Sequence, residues 1–160
     1  SLNLASTATG TSTSTVSNNI KLPDSISKQS IASKIPFIND STEEHYVGIV
    51  IKGTKEVFAK EAQNAMDNLN TDEFNSLQLS STYVQFNKDT YIVWVGPFDT
   101  QKQAITYTQK VKPRLKTEII SFIPAKQYEI FIFGKSNILQ INNNEDLLLY
   151  RDFMFKNIYQ

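Results

Sequence analysis

Leu77–Gly96 reads LQLSSTYVQFNKDTYIVWVG. In its first half Leu77, Leu79, Ser81 and Tyr83 alternate with Gln78, Ser80 and Thr82, the period of two that marks a half-exposed strand. Asn87-Lys88-Asp89-Thr90 supplies turn chemistry, because Asn and Asp side chains bond to nearby backbone and tolerate tight turns. Tyr91-Ile92-Val93-Trp94-Val95 is then an unbroken β-branched and aromatic run, expected to end at Gly96-Pro97. The segment is a hairpin of two antiparallel strands, and its flanks decide what it belongs to.

On the amino-terminal side, His45-Tyr46-Val47-Gly48-Ile49-Val50-Ile51 is a short β-rich run. Gly53 and Thr54 make a turn with a helix cap, and Phe58, Ala62, Ala65 and Leu69 fall at i, i+4, i+7 and i+11, the single stripe of an amphipathic helix. On the carboxy-terminal side Asp99 or Thr100 caps a second helix with the stripe Ala104, Thr108, Val111 and Leu115. Pro113 kinks or stops that helix. Ile119, Ile120, Phe122 and Ile123 are either its continuation or an added strand. Tyr128–Phe133 is a fourth strand, and Asp146–Ile158 a last helix that buries Leu147, Tyr150 or the Arg151 methylenes, Met154 and Ile158.

The order β-α-β-β-α-β-α is that of an α+β fold. It predicts a ferredoxin-like βαββαβ antiparallel sheet with helices on one face, plus an extra C-terminal helix. The second sheet face is left for the preceding segment, for the last helix or for a partner.

Composition divides the chain of 160 residues unevenly. Residues 1–43 are dominated by Ser, Thr, Asn and Lys, and Thr7–Ser17 is nearly all Ser, Thr, Ala and Gly, too little apolar surface to offset ordering entropy. They are expected to be a flexible Ser/Thr-rich linker, with Ile31, Ile35, Phe37 and Ile38 as candidates for a short docked arm near 31–38. Residues 44–160 are expected to be the ferredoxin-like α/β domain. The chain begins at Ser1 rather than Met and is read as a piece of a longer protein.

Charge and residue types narrow the chemistry. Lys+Arg and Asp+Glu number 16 each, so no global field draws a polyanion. Lys110, Lys112, Arg114 and Lys116 cluster where cations favour a helix C-terminus, which reads as a solvated helix end rather than a nucleic-acid patch. There are 0 cysteines, which removes thiolate ligands and cysteine nucleophiles, and no apolar run approaches the roughly 18 residues of a membrane span. His45 is the sole histidine and is expected at the surface beside Glu43 and Glu44. The 5 glycines form no phosphate-binding loop. Asp72-Glu73 and Glu145-Asp146 flank helices, where acids favour the N-terminal dipole. Asn142-Asn143-Asn144 reads as a cap, with calcium as the rival. No catalytic residue, cofactor or metal is expected. The candidate binding residues are strand aromatics on an exposed sheet face: Tyr83, Trp94 and Tyr128.

Two resemblances rest on specific residues. Tyr91–Ala104, with Val95-Gly96-Pro97-Phe98 before a helix that carries an early alanine, resembles the strand-turn-helix of SPOR domains, and implies a periplasmic module that binds peptidoglycan glycan strands. A longer pattern takes in His45-Tyr46, Phe74 with Leu77 and Leu79, Lys88-Asp89-Thr90, Ala104 with Tyr107, Phe131-Ile132-Phe133 with Asn137, Asp146-Leu147, Tyr150, Phe153 and Asn157-Ile158-Tyr159. It resembles the C-terminal domain of the SprE/PorW-type tetratricopeptide lipoproteins of Bacteroidota, of type IX secretion and gliding motility. That resemblance implies a non-catalytic periplasmic scaffold whose parent is anchored at the outer membrane and whose partners are envelope proteins of a secretion or motility machine. It departs from the pattern at Gly96-Pro97. Asp24-Ser25-Ile26 and Asp40-Ser41-Thr42 resemble the O-glycosylation triplets of the same phylum.

Overall fold

Four strands alternate with the helices along Phe37–Gln160, which forms one compact unit. A computed structural model describes residues 36–159; Asp24-Ser25-Ile26, Ile31 and Ile35 lie outside the described residues. The elements are β1 (His45–Lys52), α1 (Glu56–Glu73), β2 (Ser80–Asn87), β3 (Thr90–Phe98), α2 (Gln101–Arg114), β4 (Tyr128–Gly134), the short α3 (Lys135–Ile138) and α4 (Asn144–Asn157). The strands form one antiparallel sheet in the order β2-β3-β1-β4. With α1 and α2 connecting them, this is the ferredoxin-like arrangement expected from the hairpin and its flanks, with α4 as the addition.

Register assigns most strand residues to a face. One set of rows runs Ser81–Val95–Val47–Ile132, Tyr83–Val93–Ile49–Ile130 and Gln85–Tyr91–Ile51–Tyr128. These face α1 and α2: Tyr83 reaches Glu56 of α1, and Ser81 is bonded by Asn70. The opposite face carries Thr82–Trp94–Gly48–Phe131 and Val84–Ile92–Val50–Glu129. The central strands are apolar at both parities because both of their faces are covered.

The buried side of α1 is Ala59, Ala62, Met66, Leu69 and Asn70: Ala62 and Leu69 are buried as read, whereas Ala59 and Met66, each one residue on, take the places expected of Phe58 and Ala65. Phe58 instead lies at the rim, stacked on Phe122 at 6.3 Å. Lys55 precedes α1 and gives it no side-chain cap, so the cap expected at Gly53-Thr54 is not made. In α2 the expected stripe Ala104, Thr108, Val111 and Leu115 is buried, and Thr100 accepts from Gln103 N–H as the cap. The chain passes Pro113 within the last turn of α2 and widens into a π-type turn over Leu115–Ile119. Ile119 ends that turn, and Ile120–Ile123 form a non-helical turn leading toward β4, so this stretch is neither a further length of helix nor an extra strand.

Two strand limits also move. Leu77 closes a single 3-10 turn (Asn75–Leu77), so β2 starts at Ser80, and β3 runs through Gly96-Pro97 to Phe98, opposite His45. The bulge of β1 between His45 and Val47 accommodates that extension.

Seven residues assigned to the linker belong to the fold: Phe37–Glu43 is knitted onto it. Phe37 packs edge-on to Tyr150 at 5.0 Å, and the buried Asn137 amide both donates to and accepts from the Ile38 backbone at 2.8 Å. Glu43 accepts from the Ser136 N–H and hydroxyl. Of the residues read as a candidate arm near 31–38, Phe37 and Ile38 make these contacts, and the compact unit starts at Phe37 rather than Glu44. No helix among the described residues is long and apolar enough to cross a membrane.

Candidate functional site

The second sheet face is divided between α4 and open surface. Tyr150 of α4 stacks on Phe133 at 4.7 Å, and Phe133 in turn meets Trp94 at 5.0 Å across Gly48. A Cβ at Gly48 would stand 2.9 Å from the Phe133 ring and 3.3 Å from Trp94, so this glycine is what lets the two aromatics close over β1. Gly96 plays the same part for Tyr46, whose ring occupies the space a side chain would need. Toward β2 the cover ends: Ser80, Thr82 and Val84 are exposed, Val84 at 43%, and Trp94 is half-buried at their border.

The three candidate aromatics do not share this surface. Trp94 lies on it, in the row with Thr82. Tyr83 and Tyr128 belong to the rows facing α1 and α2, so Tyr83, Trp94 and Tyr128 do not share one face as expected; the β2 neighbours of Trp94 on its own face are Thr82 and Val84. The Tyr83 hydroxyl donates to Glu56 at 2.8 Å, and that bond raises its pKa. Tyr128 sits on the far edge strand, where burial raises its pKa. Period two was legible in β2, but which parity faces the helices is fixed only by the neighbouring strands.

The two edges of the sheet differ as well. At β4 the outward backbone of Ile132 is satisfied by α4: Tyr150 Oη donates to its carbonyl at 2.7 Å, and its N–H donates to Met154 Sδ at 3.3 Å. Arg151 of the same helix donates to Glu129 at 2.7 Å. At β2 no further strand follows among the described residues.

Other polar groups have structural work. His45 is 1% exposed, not at the surface; its Nδ1–H donates to the Glu43 carbonyl at 2.9 Å, with Gln101 Nε2 3.4 Å from its other nitrogen. Glu73 lies at the C-terminal end of α1, not at a helix start, and binds Arg114 through two 2.9 Å bonds; that guanidinium holds its carboxyl below the usual range. Arg114 also binds Glu118, so the basic cluster is partly an ion-pair network. Asn143 accepts from Asp146 N–H while Asp146 accepts from Asn142 N–H, a reciprocal cap that accounts for the Asn run. A groove of about 430 Å³ lies between the end of α1 and α2, floored by Phe74, Leu77 and Tyr107 and rimmed by Lys102, Lys110 and Glu73.

Compared with family models, with curated proteins and with solved structures, the chain matches none.

Proposed function

We propose that this chain is a non-catalytic periplasmic interaction domain, a scaffold piece of an envelope secretion or gliding-motility complex, and that its partner docks on the open half of the second sheet face. The observation that carries the docking surface is the exposed row Ser80, Thr82 and Val84 bordered by the half-buried Trp94, on a face whose other half is already occupied by α4. A flat aromatic ringed by small polar and β-branched groups suits a protein surface that excludes water around one anchor. The envelope assignment rests on the resemblance to the SprE/PorW-type domain. Co-purification from native envelope, with the bound proteins identified by mass spectrometry, tests it. A secretion or motility protein that is retained by the unaltered chain and released by Thr82→Asp is expected. Recovery without any such protein would defeat the assignment.

Trp94 also favours a second reading, a peptidoglycan glycan binder, since an indole face beside the Thr82 and Ser80 hydroxyls can stack on a sugar ring. Sedimentation with purified sacculi separates the two: enrichment in the pellet supports the glycan reading, and its absence removes it.

A further inference from the structure

We propose that β2 pairs edge to edge with β2 of a second copy of this chain, joining two four-stranded sheets into one continuous antiparallel sheet. The backbone geometry points there first. Ile132 directs its N–H and C=O away from the sheet toward α4, so its neighbours Phe131 and Phe133 bond inward to β1. Hydrogen-bonding direction alternates along an antiparallel strand. Carried through the registers, that alternation makes Val93 face β1 and Trp94 face β2, which leaves the N–H and C=O of Ser81, Tyr83 and Gln85 directed outward.

The composition of the strand points the same way. Ser80–Asn87 is SSTYVQFN: it has no charged residue and no proline, and its register shift lies at the far end, between Gln85 and Asn87. Monomeric proteins normally protect such an edge with lysine, proline, a bulge or a covering helix. Here the covering helix was placed on the other edge.

A second copy is the occupant that fits. An antiparallel pair of identical strands is related by a two-fold axis, so it closes at two copies. Centred on Tyr83, it sets Tyr83 opposite Tyr83 and Ser81 opposite Gln85 twice, using all three outward residues in about six backbone bonds. Thr82 then meets Val84 on the open face. No strand position opposes a like charge, because the strand carries none; the Glu56 carboxylate is held by Tyr83 on the helix-bearing face. The pairing would make the open rows of the two copies one surface. It does not depend on which envelope partner is bound.

The test is the mass of the full chain in solution by sedimentation equilibrium over about 10 µM to 1 mM, a range suited to a small interface. A concentration-dependent dimer is expected, and a single monomer mass throughout would overturn the proposal. Val84→Lys places like charges beside the axis, and Gln85→Pro removes an outward N–H at an edge position that tolerates proline. Both are expected to be monomers with unchanged circular dichroism, whereas Leu139→Lys, at a site 85% exposed elsewhere, should dimerise like the unaltered chain. Because the chain has no cysteine, Tyr83→Cys reads the register directly: facing Cα atoms about 5.5 Å apart can be bridged. Oxidation should give a covalent dimer with Tyr83→Cys and not with Ser80→Cys. A dimer that persists in Val84→Lys and fails to crosslink through Tyr83→Cys would place the interface elsewhere.

Discussion

Strands β4 and β2 close the same sheet at opposite sides. At β4 a fourteen-residue helix, α4, lays Tyr150 and Met154 against the outward backbone of Ile132 and stacks an aromatic on the adjoining face. At β2 the last described row is Ser80, Thr82 and Val84 in the open, with Tyr83 turned inward toward Glu56. An unpaired edge is either satisfied internally or offered to another chain. The added helix satisfies one edge, and the proposed docking surface is what it leaves uncovered.

This contrast predicts that substitutions on the β4 side cost stability and those on the β2 side cost association. The largest effect is expected from Tyr150→Ala, which removes a fully buried ring from Phe133 and Phe37 and should lower unfolding free energy by about 3–5 kcal/mol in urea titration. If β4 were no better anchored than β2, the loss would be far smaller.

Alkali should open the same side next. Burial raises the pKa of Tyr150 and pushes Tyr159 up to about 12 from an ordinary value of 10.0. A raised folded value means that the folded state holds the proton more tightly. The contribution is therefore complete below pH 10 and lost as pH rises from 10 toward 12. Melting temperatures should be flat from neutrality to about pH 10 and fall above it. A fall that begins well below pH 10 would mean that these phenols are not buried.

Gly48→Ala tests the border between the covered and the open half of the face. Its Cβ would press on Phe133 and Trp94, with an expected loss of about 1–3 kcal/mol and an altered Trp94 emission. Tyr150→Phe keeps the ring and removes only the bond to Ile132, for about 1 kcal/mol and faster amide exchange along β4. The smallest stability effect belongs to Val84→Lys, within about 0.5 kcal/mol, since it adds a charge to an already exposed position. A large loss there would show that the β2 side is buried after all.

Much of this architecture was legible in the chain. The turn chemistry at Asn87–Thr90 marks the hairpin, and the stripes of α2 and α4 name the residues those helices bury, because a buried helical face leaves a repeat near 3.6. The stripe of α1 was read correctly at Ala62 and Leu69 and one residue off at Phe58 and Ala65. Phe58 is apolar yet lies at the rim, while Ala59 beneath it is small enough to let the helix approach the sheet. His45 was placed outside because a lone polar residue at a strand start ordinarily is. Its burial depends on Gln101 and the Phe37–Glu43 segment folding back over it.

By itself, then, the sequence determined the element order, the ferredoxin-like topology and the absence of cysteine chemistry, since these follow from local periodicity, turn residues and composition. Tertiary structure alone decided which parity of each strand met the helices, which edge α4 covered, and that Tyr83, Trp94 and Tyr128 lie on two faces instead of one. The reason is physical: period two tells that a strand has two faces, but only the register between strands, set by contacts far apart in the chain, tells which face is which.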